Sequence, residues 1–214
     1  MKVLLLGSIE SPLIKWLESV GEDVVVTMDP VDTAFLDAIQ PDFIVSYGYR
    51  HIIKRAVLMR VPGRFVNLHI SYLPWNRGAD PNFWSCVEDT PRGVTIHYVD
   101  EGVDTGDIIA QREVVFSEKE TLRTAYGKLQ GEVQALFREN WASIRAGRCN
   151  RKRQEGKGTF HRLKDKETLE HLLISGWETP IARLEEFAAE TQMTMQLWEE
   201  HDAEIEEMRR QDRL

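Results

Sequence analysis

The sequence predicts an α/β fold. It has a mainly parallel sheet with flanking helices, followed by a small C-terminal hairpin and helical extension. Two observations carry this. Short apolar runs in the first seventy residues alternate with segments of helical spacing, and buried strands separated by helices favour a parallel sheet covered on both faces. After residue 90 the pattern changes: two strand-like runs lie close together, then a long helical stretch follows.

Val3–Leu6 is an apolar run ending in Gly7, read as a first buried strand. Met1-Lys2 leads straight into it, whereas a secretion signal needs a longer apolar core and a small-residue cleavage site. Ser11-Pro12 is a helix start, with serine as the cap and proline at the first position. Leu13, Trp16, Leu17 and Val20 follow at helical spacing, and Gly21 ends the segment. Asp23–Thr27 is a second strand, Val31–Ile39 a short helix, and Phe43–Ser46 a third strand. Ile52–Met59 is helical and Phe65–Leu68 is a fourth strand. Residues 79–89 form a helix, 93–100 and 106–116 form strands, and Glu120–Ala146 forms a long helix. Residues 145–161 are basic and contain glycines, which suits a hairpin or an exposed loop. Residues 166–174 and 181–208 read as helices, the latter with Leu184, Phe187, Met195, Trp198, Ile205 and Met208 as apolar contacts. The main domain is placed at 1–147 and the extension at 148–214.

Composition excludes several classes. The chain has 214 residues, 42% hydrophobic and 29% charged, as a globular protein has. No apolar run approaches the ~20 residues of a membrane span. The net charge of −8 argues against a nucleic-acid binder, and ten acidic residues against four arginines fall in residues 181–214. Cys86 and Cys149 are the only cysteines and have no metal spacing around them. Both are expected to be reduced thiols in a cytoplasmic protein with no bound metal and no membrane partner.

Gly7 alone does not make a dinucleotide-binding turn, which needs three glycines. Asn67 and His69 are the more informative pair. They lie two apart at a strand end, so both project to one side. Strand carboxyl ends are where open α/β sheets place their sites. A second polar cluster, Asp100, Glu101, Asp104 and Asp107, lies between two strands and can supply a carboxylate to orient the histidine. His97 alternates with apolar neighbours and reads as a strand residue with a local partner. His51, His161, His171 and His201 have no metal spacing.

Asn67-Leu68-His69, Ser71-Tyr72-Leu73-Pro74-Trp75-Asn76-Arg77-Gly78, Gly93-Val94-Thr95-Ile96-His97 and Asp104-Thr105-Gly106 occur in that order. This set resembles the formyltransferase family that uses 10-formyltetrahydrofolate, strongly over residues 43–116 and at the level of fold over 1–145. The resemblance implies a Rossmann-like formyltransferase domain. It implies catalytic roles for Asn67, His69 and Asp104. It implies a folate site along Arg50, His51 and Ile52 and along Glu101, Gly102, Val103 and Asp104. The chemistry suits the trio. When an amine attacks the formyl carbon, the carbonyl oxygen gains charge that Asn67 and a protonated His69 can stabilise. His69 can also relay the proton the amine loses, with Asp104 holding its ring. No metal is required.

Within the family the chain is most like the sugar-nucleotide N-formyltransferases, including the type that serves the pseudaminic acid route. Methionyl-tRNA formylation calls for a basic carboxyl-terminal domain, whereas residues 181–214 are acidic. Gly7–Pro12 lacks the second glycine of a phosphate loop and places Glu10 there. On the resemblance, Trp75, Arg77, Gly78, Asn82 and Tyr98 face the sugar, the acceptor is a nucleotide-linked 4-amino-4,6-dideoxyhexose for surface glycans, and subunits pair as homodimers. Two other readings stand beside this one. One is a hydrolase that releases formate from the folate. The other is a binding module without catalysis on the same fold.

Overall fold

The computed structural model describes residues 1–211, with side chains through residue 199. Its centre is a six-stranded sheet. The strands are β1 (Lys2–Gly7), β2 (Asp23–Thr27), β3 (Phe43–Tyr47), β4 (Phe65–His69), β6 (Gly93–Tyr98) and β7 (Ile108–Glu113), in the order β2-β1-β3-β4-β6-β7. The first four are parallel, and β6 and β7 add antiparallel to one edge. β1 is buried along nearly its whole length, which explains why it reads as a continuous apolar run rather than an alternating one.

The helices form where local chemistry starts and stops them. In α1 (Pro12–Ser19) the Ser11 hydroxyl accepts from the Leu13 amide at 3.3 Å. In α2 (Thr33–Ile39) Asp32 accepts from the Phe35 amide at 2.8 Å, and Gln40 turns left-handed at φ 51° to end the helix. The helix therefore starts two residues later than the expected Val31, after a cap at Asp32. The helix expected over 52–59 shrinks to α3 (Arg55–Leu58). The longest well-packed helix, α5 (Leu122–Arg145), opens with a reciprocal bond pair between Thr121 and Thr124.

The sheet has apolar packing on both faces. Val3, Leu5, Val45, Val66, Leu68, Ile96 and Tyr98 meet α1 and α5 through Leu13, Leu17, Leu129, Val133 and Phe137. Leu4, Leu6, Ile44 and Phe65 meet α2 and α3 on the other face. A third cluster joins α4 (Pro81–Val87), the start of α5 and the start of α6 (Ile181–Gln211) through Phe83, Trp84, Leu122, Ile181 and Leu184. The chain after Gly147 therefore returns to pack on the same body.

The expected C-terminal hairpin does not form. Residues 148–161 run as a single strap across the sheet end. They end in β8 (Phe160–His161), which pairs parallel with β5 (Arg77–Gly78). Lys152 makes an isolated antiparallel bridge to Ile108 on the way. Residues 163–172 and 176–178 are 3₁₀ turns rather than the helix expected over 166–174. In α6, Leu184 is buried and Phe187 half-buried, while Met195 and Trp198 are exposed. Ile205 and Met208 lie outside the described side chains. Among the described residues no helix is long and apolar enough to cross a membrane.

Candidate active site

The antiparallel pairing of β4 with β6 sets Asn67 directly opposite His97 and His69 opposite Thr95. All four side chains share one face, because strand residues alternate. The loop between β6 and β7 then brings Asp104 over them. Asp100 organises that loop, accepting from the Gly102 amide at 3.1 Å and the Thr105 hydroxyl at 2.6 Å. Asp104 itself is left-handed at φ 54°, a conformation aspartate tolerates better than most residues. At Gly106 any Cβ would meet the Tyr98 carbonyl oxygen at 1.8 Å, so only glycine lets the loop close this tightly.

The result is a compact polar cluster. Asn67 Nδ2 donates to Asp104 Oδ1 at 3.0 Å and lies 3.2 Å from His97 Nε2. The Gly78 amide donates to Asp104 Oδ2 at 2.9 Å. His69 Nδ1 is 3.7 Å from Asp104 Oδ2, and His97 Nε2 is 3.3 Å from Oδ1. Carbonyl oxygens assign the tautomers, since they only accept. His69 Nε2–H donates to the Asn76 carbonyl at 3.1 Å, and His97 Nδ1–H donates to the Tyr98 carbonyl at 2.8 Å. That leaves His97 Nε2 to take the second amide hydrogen of Asn67. Both Asn67 hydrogens are thus engaged within the cluster.

Burial holds the His69 pKa below its ordinary value, against the opposing pull of Asp104. Burial alone would raise Asp104. The charges that His69 and His97 take on once protonated, the bond a protonated His97 can then donate, and the Gly78 amide outweigh it, so the carboxyl stays well below the usual carboxylate range. Both groups therefore bind protons more weakly folded than unfolded, where they titrate near ~6.5 and ~3.9. As pH falls through those values the unfolded chain takes up protons first, and folded stability declines. We expect the melting temperature to drop from pH 7.5 to pH 5, and the drop to be smaller in His69→Asn. Thermal scans across that range measure it, and an identical slope in the variant would remove His69 as a source.

The other expected site residues divide. Arg50, His51 and Ile52 are exposed after β3. Arg50 and His51 line a cavity of about 600 Å³ with Ser8, Ser11 and Tyr47 at the carboxyl ends of β1 and β3. Glu101, Gly102 and Val103 are exposed in the loop before Asp104, and Glu101 reaches Arg55, at the start of α3, at 3.2 Å. Gly78 meets Asp104 directly. Trp75 is half-buried, in the same loop. Arg77 is spent on the Pro74 and Lys157 carbonyls, so it braces the loop.

One expectation is corrected. Tyr98 is one residue from His97 and so lies on the opposite face, packed in the α5 core with the Arg151 guanidinium 3.7 Å over its ring. Asn82 is buried in α4, and its Nδ2 donates to the Leu122 carbonyl at 2.9 Å. Its Oδ1 has no partner among the described residues. Asn82 does line a second cavity of about 180 Å³ with Ile70, Phe83, Tyr126 and Trp177. His97 is the residue that sequence reading missed. Its signal was a polar side chain within a buried strand, but only register reveals its partner. No group of three metal-ligating side chains occurs among the described residues.

Residues 25–139 match the family model described as formyl transferase. The chain belongs to the formyl transferase family. Among solved structures, this member is 49% identical to the formyltransferase PseJ from Anoxybacillus kamchatkensis, with a TM-score of 0.83, covering 88% of this chain and 100% of that one. That structure is a complex with UDP-4,6-dideoxy-4-formamido-L-AltNAc and tetrahydrofolate. Over 131 residues, 61% of this chain, it is 32% identical to the dTDP-4-amino-4,6-dideoxyglucose formyltransferase of Mycobacterium bovis. Over 153 residues, 71% of this chain, it is 34% identical to the methionyl-tRNA formyltransferase of Anaeromyxobacter dehalogenans. The chain spans about half the length of these two curated relatives, 55% and 48% respectively.

Proposed function

We propose that this protein transfers the formyl group of N10-formyltetrahydrofolate to the 4-amine of a UDP-linked 4-amino-4,6-dideoxy sugar that also carries an acetamido group. The observation that carries this is the likeness to PseJ over that protein's whole length, because its complex holds the corresponding formamido sugar nucleotide and tetrahydrofolate. The cluster of Asn67, His69, His97 and Asp104 supplies a site with the required chemistry. The acidic segment 181–214 gives no grip for tRNA.

The residues present fit a folate. Residues 50–52 and 101–103 are exposed, Glu101 pairs with Arg55 at the start of α3, and a cavity of about 600 Å³ is lined by Arg50 and His51. The folate supplies the formyl group. The Asn67 amide hydrogen that now points at His97 Nε2 is shared with the formyl oxygen as charge builds there. His69 Nε2 is committed to the Asn76 carbonyl, so the amine's proton enters at Nδ1, where the Asp104 carboxylate stabilises the imidazolium. His69 then returns that proton to the departing nitrogen, which balances the exchange. The acceptor lies toward the cavity beside Ile70, where Asn82 Oδ1 awaits an N–H donor and Trp177 and Phe83 offer apolar walls. The same reading carries a cytoplasmic homodimer, which sedimentation of the purified protein tests.

The experiment is formyl transfer to a panel of UDP- and dTDP-linked 4-amino sugars, followed by mass spectrometry. Folate-dependent gain of one formyl group on the UDP-linked acetamido sugar is expected. No product from any member would overturn the acceptor class. Consumption of formyl-folate without an amine would favour the hydrolase reading.

A further inference from the structure

The strap formed by residues 148–161 lies beyond the 25–139 stretch matched by the family model, and it touches both halves of the polar cluster. Gln154 Nε2 donates to the Asp104 carbonyl at 2.8 Å and to the Gly106 carbonyl at 2.9 Å. Its Oε1 has no partner among the described residues, so the side chain is used only for its two donors. It clamps the carbonyls of the two residues that flank Thr105, in the loop that holds Asp104 at positive φ.

Five residues later the strap meets the other half. Thr159 Oγ1 accepts from the Asn76 amide at 2.8 Å and donates to Asn76 Oδ1 at 3.0 Å. Asn76 is fully buried, and its carbonyl is the acceptor for His69 Nε2. The Thr159 carbonyl takes the Arg77 amide at 3.0 Å, and the His161 carbonyl takes the Ala79 amide at 2.9 Å. Those bonds fix Gly78 between them, and Gly78 donates to Asp104 Oδ2. At Gly158, with φ +57°, a Cβ would meet the Pro74 carbonyl oxygen at 2.0 Å, so the strap lies directly on the loop it holds.

We infer that Gln154 and Thr159 are positioning residues for formyl transfer: the strap sets the Asp104 carboxylate through Gln154 and Gly78, and the His69 ring through Thr159 and Asn76. Neither residue touches the reacting atoms. Each fixes the backbone group that orients one that does. The Arg151 ring stack on Tyr98 and the Lys152–Ile108 bridge anchor the strap to the sheet on one side. His161 stacks on Trp84, 3.8 Å between centroids, on the other. This inference rests on the proposed transfer reaction for its kinetic arm only.

Gln154→Met keeps the side-chain length and removes both donors. Thr159→Val keeps the shape and removes the hydroxyl, and Thr159→Ser restores it. Displacing a catalytic group by a fraction of its bond length costs rate rather than binding, so kcat is expected to fall about 10- to 100-fold in the first two variants. KM for both substrates should stay within about threefold, and Thr159→Ser should recover most of the loss. A second arm needs no acceptor. Amide exchange by mass spectrometry should quicken about tenfold, at residues 104–107 in Gln154→Met and at residues 76–79 in Thr159→Val, each of which loses two hydrogen bonds, with distant strands unchanged. Wild-type protein without transfer activity would sink the acceptor reading and leave the exchange arm to decide. Unchanged exchange at both segments, or kcat within about twofold of wild type in both variants of an active enzyme, would overturn the positioning role.

Discussion

Asp104→Ala is expected to lower kcat on the order of 10³-fold, with little change in substrate KM. The size follows from how many groups one carboxylate orients. It accepts from Asn67 and Gly78 and stands against both His69 and His97. Its loss frees the Asn67 amide to rotate and leaves the imidazolium of His69 with no counter-charge. The proposed folate segments 50–52 and 101–103 keep their exposed side chains when the carboxylate is removed, so binding is expected to survive. Steady-state kinetics on the purified variant, with its folded state checked by circular dichroism, measure the effect. A KM rise that accounts for the whole loss would move Asp104 from orientation to binding.

His69→Asn is expected to lower kcat by about 10²- to 10⁴-fold, because it removes the group proposed to carry the proton. The neighbouring geometry should hold, since Asn76, Gly78 and Asp104 are fixed by bonds that do not pass through His69. The double variant with Asp104→Ala should then lose little more than the worse single one, as residues acting as a unit do. Fully additive losses would mean that the two residues act in separate steps.

Much of the fold was legible. The four parallel strands were visible because each is a short apolar run between helix caps, and Ser11 performs the capping role its position suggests. The catalytic-type pair was visible because Asn67 and His69 are polar where the strand should be apolar. What was not legible depends on register. Tyr98 was assigned to the sugar and His97 to a local partner; pairing Asn67 with His97 turns Tyr98 to the other face and sets His97 against Asn67 as well as the Tyr98 carbonyl. A period-2 pattern says that neighbours part, not which of them faces the site. The helix expected over 79–89 forms as Pro81–Val87, but its burial at every residue, Asn82 included, depends on the packing of α5 and α6 against it.

The strap was hidden for a different reason. Its pairing joins two-residue strands that lie 83 residues apart, with Arg77 opposite Phe160. Segments that short have no period to detect, and a basic glycine-containing stretch looks like exposed loop. Gln154 and Thr159 carry no signal by composition. Their importance comes from which carbonyls and amides they reach, and that is visible only once the chain has closed over the sheet end.

The most direct test is transfer of a formyl group from N10-formyltetrahydrofolate to the UDP-linked 4-amino-4,6-dideoxy acetamido sugar, followed by mass spectrometry for wild type and Asp104→Ala side by side. The wild-type protein should place one formyl group on the 4-amine, with the folded variant slower on the order of 10³-fold. Turnover by the variant close to wild type would contradict the account.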